Sequence, residues 1–495
     1  MTAEALLDLI ERNDEHPALI VPGTGATVSY AEMHAAVDRV ARELVQVGIA
    51  PGDAVAMAFL NGPEMVIGFL AIVAAGAAAA PLNPAYTADE FRGYLVDLRP
   101  RAMIFHDGAG EAARAVCHEL GIRVLNATAD APGALTVASG GGGPLPARDP
   151  HARALLLHTS GTTSRPKVVP LRQRNLASSA RAVAATYGLD GADVSHCVMP
   201  LFHVHGLVAS TLATLCTGGT VLVPPRFSAS AFWRDTVTHG ATWYSAVPTI
   251  HGVLTARAAD EPVPDNQLRF ARSCSSSLAS PLQAQAEERL QLPVIQAYGM
   301  TEAAHQMASN PLPPAERRHG SVGLATGTEI AVLDDHWRAV ATGEVGEVAV
   351  RGDSVVDGYL DNPEANASSF RDGWFRTGDL GKLSADGYLT LEGRIKEMIN
   401  RGGEKISPLE VEDALLRHPA VAEAVVYARE DGKYGEQVAA AVVAKTPVSE
   451  DELQAHCAAS LASFKVPASI ALLDAIPKGP TGKVQRRMMA ELVPR

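Results

Sequence analysis

The chain has 495 residues, of which 47% are hydrophobic and 20% are charged, and its formal net charge is −13. This length predicts two or three globular domains, and this composition excludes a disordered or fibrous chain. The negative charge argues against general affinity for nucleic acids or anionic membranes, so an anionic ligand must meet positive charge that is placed locally.

Cysteine usage and hydrophobic patterning predict a cytoplasmic protein. The five cysteines are widely spaced and form no CxxC pair, which favours reduced thiols over disulfides or a zinc site. The first 16 residues are acidic and helix-like, unlike a signal peptide. Residues 65–82 carry no charge, but Gly76 predicts a helix ending near Ala75 and a strand ending at Pro81 rather than a membrane span. We expect neither a membrane nor a nucleic acid as partner; the oligomeric state is not predicted.

Helix starts alternate with apolar runs in the first 120 residues. Ser29 with Glu32 and Thr87 with Glu90 both match the capping box of a helix N-terminus. The apolar run 54–60 lies between them. This alternation predicts crossover units on a parallel sheet, and therefore an α/β fold class.

The stretch 155–170, LLLHTSGTTSRPKVVP, predicts a phosphate-binding loop. An apolar strand leads into hydroxyl, glycine and cationic residues, namely Thr159, Ser160, Gly161, Thr162, Thr163 and Lys167. Hydroxyls, a permissive glycine backbone and a mobile cation are the groups that a polyphosphate needs. No Gly-Lys-Ser/Thr closes the stretch, so it is not a Walker loop. The plain alternative is a polar surface loop.

Short apolar runs that break into polar turns continue from residue 194. They are SHCVMPLFHVHG, GGTVLV, ATWYSAVPTI, LRFARSCSSSL and LPVIQAYGMTE. Open α/β sheets bind ligands at the edge where the carboxyl ends of parallel strands meet. We therefore expect the polar ends of four of these runs to share one edge of a sheet.

The pattern changes after residue 320 to short alternating strands with turn residues. These predict a small antiparallel or barrel-like subdomain over 320–393, which completes a large N-terminal domain, 1–393, of layered αβ sheets. A basic, glycine-containing hinge follows over 394–406. A small, mobile α+β C-terminal domain, 407–495, begins at Ser407, where Ser-Pro-Leu-Glu is a helix start.

Separated motifs between residues 61 and 483 occur in a characteristic order. They are NGPE, HTSGTTSRPK, PLFHVHG, AYGMTE, GWFRTGD, GRIKE and GPTGK. In this order they resemble the adenylate-forming superfamily of acyl-CoA synthetases, luciferases and peptide-synthetase adenylation domains. The resemblance covers nearly the whole chain and implies an enzyme that uses ATP, Mg²⁺ and CoA.

The resemblance also implies roles for residues of the large domain. The loop 159–167 would hold the phosphates of ATP, with Lys167 acting in catalysis. Tyr298 would stack on adenine, Thr301 would touch the α-phosphate and Glu302 would hold Mg²⁺. Asp379 would accept hydrogen bonds from both ribose hydroxyls.

Further roles fall on the hinge and the small domain. Arg394 would contact the ribose or a phosphate, and Lys396 matches the hinge position. Lys483 would bond the attacking carboxylate and the phosphate. A swing of the small domain would then replace Lys483 with a CoA tunnel, with Gly402 and Gly403 absorbing the rotation and lying beside CoA.

The residues expected to face the acid are polar. His203, His205, Ser275 and His305 predict a small pocket rich in hydrogen-bond donors, whereas a long acyl chain needs an apolar pocket. His305 is four residues beyond Thr301, which predicts that it lies one helical turn on and faces the same side. A second carboxylate on the substrate would explain the histidines, which can donate or become cationic.

Local details narrow the resemblance. The segments LHTSGTTSRPK, LFHVHGL, RFSASAFW, RSCSSSLA and SNPLPP resemble the oxalate–CoA ligase branch of the superfamily. We therefore expect oxalate, ATP and CoA to give oxalyl-CoA, AMP and pyrophosphate. The alternatives are another small or aromatic acid, and a carrier protein as acceptor instead of CoA.

Val168 motivates a non-enzymatic alternative. Relatives have glycine directly after the Pro-Lys pair, whereas this chain has Val168. A β-branched residue stiffens the backbone next to Lys167. A non-catalytic nucleotide-binding relative is therefore the second hypothesis.

Overall fold

The structure is a computed structural model that describes residues 4–106, 108–138, 142–159, 166–477 and 486–493. Within these ranges the strands form four sheets. No helix in these ranges combines the length and the apolar character that crossing a membrane requires.

The first part of the chain builds a seven-stranded sheet and the edge of a second one. Its strands are β1 (Pro17–Val21), β2 (Ala26–Ser29), β3 (Ala54–Ala58), β4 (Ala78–Pro81), β5 (Ala102–His106), β6 (Arg123–Ala129), β7 (Leu135–Thr136), β8 (Arg153–His158) and β9 (Val168–Arg172). Its helices are α1 (Tyr30–Gln46), α2 (Pro63–Ala74), α3 (Ala88–Leu98) and α4 (Ala112–Glu119). Strands β7-β6-β5-β3-β4-β8-β9 form the sheet in that order, with β3 to β6 parallel, as the alternation predicted.

Local signals fix these elements. Ser29 and Thr87 form the predicted capping boxes of α1 and α3. The uncharged run 65–82 folds as the C-terminal part of α2 followed by β4, and both elements are buried. The prediction that this run divides into a helix and a strand is confirmed.

The next part completes the second, nine-stranded sheet. Its elements are α5 (Gln173–Tyr187), β10 (Val194–His196), a π-helix (His205–Leu212) that runs into α6 (Ala213–Leu215), β11 (Thr220–Leu222), α7 (Phe232–Thr238), β12 (Trp243–Ala246), α8 (Pro248–Arg257), β13 (Phe270–Ser273), α9 (Ser280–Leu290), β14 (Val294–Met300), a 3-10 turn (Thr301–Ala303), β15 (His305–Ser309) and β16 (Leu324–Ala325). The sheet order is β16-β15-β14-β13-β12-β10-β11-β1-β2. Strands β10, β12, β13 and β14 are parallel neighbours, so their carboxyl ends share one edge as predicted.

A five-stranded antiparallel sheet follows, where the sequence predicted a β-rich subdomain. It contains β17 (Glu329–Leu333), β18 (Gly346–Arg351), β19 (Phe370–Arg371), β20 (Trp374–Leu383) and β21 (Leu389–Arg394), with α10 (Pro363–Ser369) inserted. The long strand β20 pairs with β18, β19 and β21.

The C-terminal part has a sheet and a core of its own. After a 3-10 turn (Ile395–Glu397) come β22 (Ile399–Arg401), β23 (Glu404–Ile406), α11 (Pro408–Leu416), β24 (Val421–Asp431), β25 (Gly435–Ala444), α12 (Glu450–Ala458), β26 (Ser469–Leu472), a second 3-10 turn (Arg486–Met488) and α13 (Met489–Leu492). The hairpin β22–β23 belongs to this sheet, so residues 399–406, assigned above to the hinge, form two strands joined by a turn at Gly402 and Gly403. Ser407 caps α11 as expected.

Candidate active site

Three residues from different strands form a hydrogen-bonded group. Asp379 on β20 lies directly opposite Arg394 on β21, and its Oδ1 is 2.9 Å from the arginine Nε. The Tyr298 hydroxyl, at the end of β14, donates to Oδ2 of the same carboxylate. Burial raises the pKa of Asp379, while the Arg394 charge and the Tyr298 hydrogen bond oppose that rise. The Asp379 carboxylate is therefore a hydrogen-bond acceptor whose orientation is fixed by Tyr298 and Arg394.

A second group joins the end of the phosphate loop to the 3-10 turn. Glu302 is buried in that turn and accepts a hydrogen bond of 2.9 Å from the Tyr359 hydroxyl. The Lys167 Nζ lies 4.3 Å from the centre of the Tyr359 ring. Burial lowers the pKa of Lys167, and the nearby Glu302 carboxylate opposes this shift. Thr301 begins the turn and is half-buried.

The donor set around Glu302 is compatible with Mg²⁺. Among the described residues, no group of three or more His, Cys, Asp or Glu side chains is arranged to hold a metal ion. Mg²⁺ bound to a nucleotide commonly takes one or two carboxylates and completes its octahedron with phosphate oxygens and water. A single buried carboxylate close to Lys167 suits that arrangement.

The base of the phosphate loop is a closed hairpin. The Thr159 N–H donates to the Lys167 carbonyl oxygen at 2.9 Å, at the point where β8 and β9 separate. Ser160, Gly161, Thr162 and Thr163 lie outside the described residues, so their contacts with phosphate remain predictions. Val168 is the first residue of β9 and is buried.

Three of the four residues predicted to face the acid, His205, Ser275 and His305, meet in one cluster. His205, at the start of the π-helix, lies 3.0 Å from the Ser275 hydroxyl through Nδ1 and 2.7 Å from the Ser245 hydroxyl through Nε2. Its ring centre is 4.9 Å from that of His305. Both histidines are 2% exposed.

Backbone conformations that side chains rarely adopt are concentrated in this cluster. Ser275, Ala304 and His305 have φ angles of +74°, +51° and +118°. Such strained residues tend to collect at functional sites, where the surrounding structure holds them. Burial of the two histidines and backbone strain make the cluster a candidate binding site.

The expected helical relationship between Thr301 and His305 is wrong. The 3-10 turn ends at Ala303, Ala304 adopts a left-handed conformation, and His305 begins β15. His305 therefore reaches His205 through a reversal of the backbone. His203 lies two residues before the π-helix start, half-buried beside Phe202.

Three functional candidates were missed from the sequence. Arg272 on β13 is fully buried and contacts both His305 and Ser245, and Tyr359 sits between Glu302 and Lys167. A charged residue inside the apolar run of β13 was a signal for Arg272, because buried charges are rare without a partner. Ser245 and Tyr359 carried no comparable signal.

The hinge and small-domain residues lie in the turns around β22. Lys396 is in the 3-10 turn after Arg394, close enough for its charge to lower the pKa of Lys167. Gly402 and Gly403 form the tight turn between β22 and β23, with φ angles of +60° and +100°. Lys483 lies outside the described residues.

Comparison with known proteins assigns the family. Residues 8–360 match the family described as AMP-binding enzyme, and residues 410–483 match the AMP-binding enzyme C-terminal domain. An oxalate–CoA ligase of Arabidopsis thaliana is 45% identical, over 99% of this chain and 98% of its own length. A sulfoacetate–CoA ligase of Cupriavidus necator is 38% identical, over 95% of this chain and 94% of its own length. The crystal structure of ATP-bound MatB from Rhodopseudomonas palustris superposes with a TM-score of 0.89 at 29% identity, covering all of both chains. The chain therefore belongs to the family of AMP-binding enzymes.

Proposed function

We propose that this acid–CoA ligase activates oxalate. The reaction joins oxalate to the AMP part of ATP with release of pyrophosphate, and then transfers the oxalyl group to CoA with release of AMP. The observation that carries the proposal is the cluster of His205, Ser275 and His305, whose two rings are 4.9 Å apart. The cluster is polar, and the two buried imidazole rings leave little space. It therefore suits a short acid with two anionic ends.

In the first step, an oxalate oxygen attacks the α-phosphorus and the bond to the pyrophosphate oxygen breaks. Because the attacking carboxylate and the α-phosphate are both negatively charged, catalysis depends on charge neutralisation and alignment rather than on acid–base chemistry. Lys167 supplies positive charge at the exit of the phosphate loop. Asp379, held by Tyr298 and Arg394, orients the ribose through its hydroxyls. Mg²⁺, when bound, would add positive charge beside Glu302.

In the second step, the CoA sulfur attacks the oxalyl carbonyl carbon and AMP leaves. The proposal assigns Lys483 to the first step only and the turn at Gly402 and Gly403 to the second. The small domain would change its orientation about Lys396 between the two steps. A cytoplasmic location belongs to the same proposal.

Pyrophosphate release tests the substrate. Purified protein is assayed with ATP, Mg²⁺ and CoA against oxalate, malonate, sulfoacetate, acetate, coumarate and octanoate. Oxalate should give the highest kcat/KM, and any monocarboxylate that exceeds it contradicts the proposal. Adenylate that forms once and is not turned over when CoA is added favours a carrier protein as acceptor, and no adenylate with any acid favours the non-catalytic reading.

Sulfoacetate is the second candidate substrate. The sulfoacetate–CoA ligase matches this chain over nearly its whole length. A sulfonate, like a carboxylate, accepts hydrogen bonds from serine and histidine donors. The assay therefore ranks sulfoacetate directly against oxalate.

Lys483→Ala separates the two steps. The variant should lose adenylation, measured as oxalate-dependent exchange of labelled pyrophosphate into ATP. It should retain transfer to CoA when oxalyl-adenylate is supplied ready-made. Loss of both steps in a folded variant would contradict the separate role of Lys483.

A further inference from the structure

Arg272 is a fully buried cation, and the described side chains that it contacts include no carboxylate; they are Tyr187, Ser245, Cys274, His305 and Gln306. Its Nε donates to the Tyr187 hydroxyl at 3.0 Å, its Nη2 to Gln306 Oε1 at 2.9 Å, and its Nη1 to the Ser245 hydroxyl at 3.0 Å. Nη2 also contacts His305 Nδ1 at 3.2 Å. In the part of the chain that the structure describes, no carboxylate forms an ion pair with Arg272. Burying a cation without an opposite charge is costly, which points to an anion that arrives with the substrate.

The contact with Arg272 fixes the tautomer of His305. A guanidinium can donate hydrogen bonds but cannot accept them. The Nδ1 atom of His305 must therefore be the acceptor, and the ring proton must be on Nε2. Protonation of Nδ1 would place a second positive charge against Arg272, so His305 acts as a neutral donor while Arg272 supplies the charge.

The hydrogen bonds of Ser245 also fix the proton positions on His205 and Ser275. Ser245 is fully buried, and among the described residues its hydroxyl contacts Arg272 Nη1 and His205 Nε2. Because Arg272 can only donate, the Ser245 proton must go to His205 Nε2. The His205 proton is then on Nδ1 and is donated to the Ser275 oxygen. The Ser275 proton is left for a ligand.

We propose that Arg272 is a positioning residue that makes the pocket selective for acids with two negative charges. Its buried charge attracts the second anionic group. Its hydrogen bonds fix the proton positions of His305 and, through Ser245 and His205, of Ser275. This inference rests on the proposed function, because it concerns the same pocket and the same substrate class.

The test compares oxalate with oxamate, which has nearly the same shape but one negative charge fewer. Values of kcat/KM for both acids are measured for wild type, Arg272→Met, Arg272→Lys and Tyr187→Phe. Tyr187→Phe is the matched control, because it removes the hydrogen bond at Arg272 Nε and leaves the arginine charge and its contacts with His305 and Ser245 in place. Wild type should prefer oxalate by about 100-fold, the size expected for charge-assisted hydrogen bonds in a buried site.

Arg272→Met should reduce the ratio of kcat/KM for oxalate to kcat/KM for oxamate at least tenfold, which corresponds to the loss of about one charge-assisted hydrogen bond. The KM for ATP should not change. Arg272→Lys should retain part of the preference for oxalate over oxamate, and Tyr187→Phe should retain all of it. Equal losses for both acids in Arg272→Met would mean a merely structural role and would overturn the inference. If wild type prefers malonate or sulfoacetate, the oxalate proposal fails, and the inference is tested with that acid and its singly charged amide.

Histidine tautomers are read on the wild-type protein, and variants serve only to assign the signals. Long-range ¹H–¹⁵N correlation spectra of wild-type protein labelled at histidine should show His305 protonated at Nε2 and His205 protonated at Nδ1. His305→Gln and His205→Gln assign the two signals. A wild-type His305 protonated at Nδ1 would overturn the inference whatever the variants show.

Discussion

Asp379 and Arg394 face each other across β20 and β21, with Oδ1 and Nε 2.9 Å apart. Arg394 is the last residue of β21, and the 3-10 turn that contains Lys396 follows directly. The ion pair therefore links the carboxylate proposed to bind ribose to the segment where the small domain is expected to rotate. A Thr-Gly-Asp turn used only for folding would not need a buried carboxylate with two oriented partners.

Asp379→Asn should weaken ATP binding more than folding. The substitution removes the negative charge that faces Arg394 and replaces one acceptor oxygen with an amide donor. We expect the KM for ATP to rise at least about tenfold, as for the loss of a hydrogen bond to a charged group. Asp386→Asn, in an exposed turn of the same antiparallel sheet, is the control and should leave this KM unchanged. An unaltered KM for ATP in Asp379→Asn would exclude the ribose role.

Lys167 should set an alkaline limit on adenylation. Its ammonium must be protonated to neutralise phosphate, so activity is present below its pKa and is lost as pH rises through it. Burial lowers this pKa from the ordinary 10.5, so the loss should begin at a lower pH than for an exposed lysine. The Lys396 charge lowers it further, so Lys396→Ala should move the loss to higher pH.

Pyrophosphate exchange into ATP, followed against pH, checks this shift without the transfer to CoA. Lys445→Ala, at an exposed position of the small domain, is the matched control and should leave the profile in place. A Lys396→Ala profile that stays in place or moves to lower pH would show that another group sets the limit.

Gly299→Ala should disturb the acid pocket through His305. A Cβ at Gly299 would lie 1.9 Å from the His305 carbonyl oxygen, so the backbone that holds this histidine must move. Because displacements of about 1 Å can cost about 100-fold in rate, we expect at least that loss of kcat/KM for oxalate. Gly93→Ala is the control: it lies within α3, nothing lies within 4 Å of its new Cβ, and activity should be unchanged. Full activity in Gly299→Ala would show that His305 is not needed where the structure places it.

The sequence named candidate ligand groups but not the contacts that hold them. Tyr298 and Asp379 were named because the motifs AYGMTE and GWFRTGD resemble those of the family. Arg272 depends on Tyr187 and Gln306, which come from α5 and β15, and only tertiary packing brings these partners together. The route to His305 was mispredicted because local spacing favours a helix, whereas the chain reverses at Ala304.

Val168→Gly tests whether the residue that departs from the relatives restrains catalysis. Val168 pairs with His158 across the hairpin, its carbonyl accepts the Leu360 N–H at 2.9 Å, and its side chain packs with Leu156 in the core. A β-branched residue suits this strand, so glycine should lower the free energy of unfolding by about 2–4 kcal/mol.

The rate per folded molecule should stay the same in Val168→Gly, because strand pairing rather than the Val168 side chain places Lys167. Urea unfolding measures the stability and pyrophosphate release measures the rate. Val169→Gly, the next and fully buried position of β9, should show a similar loss of stability and no change in rate. A marked rise of kcat in Val168→Gly alone would mean that valine holds the phosphate loop too stiffly.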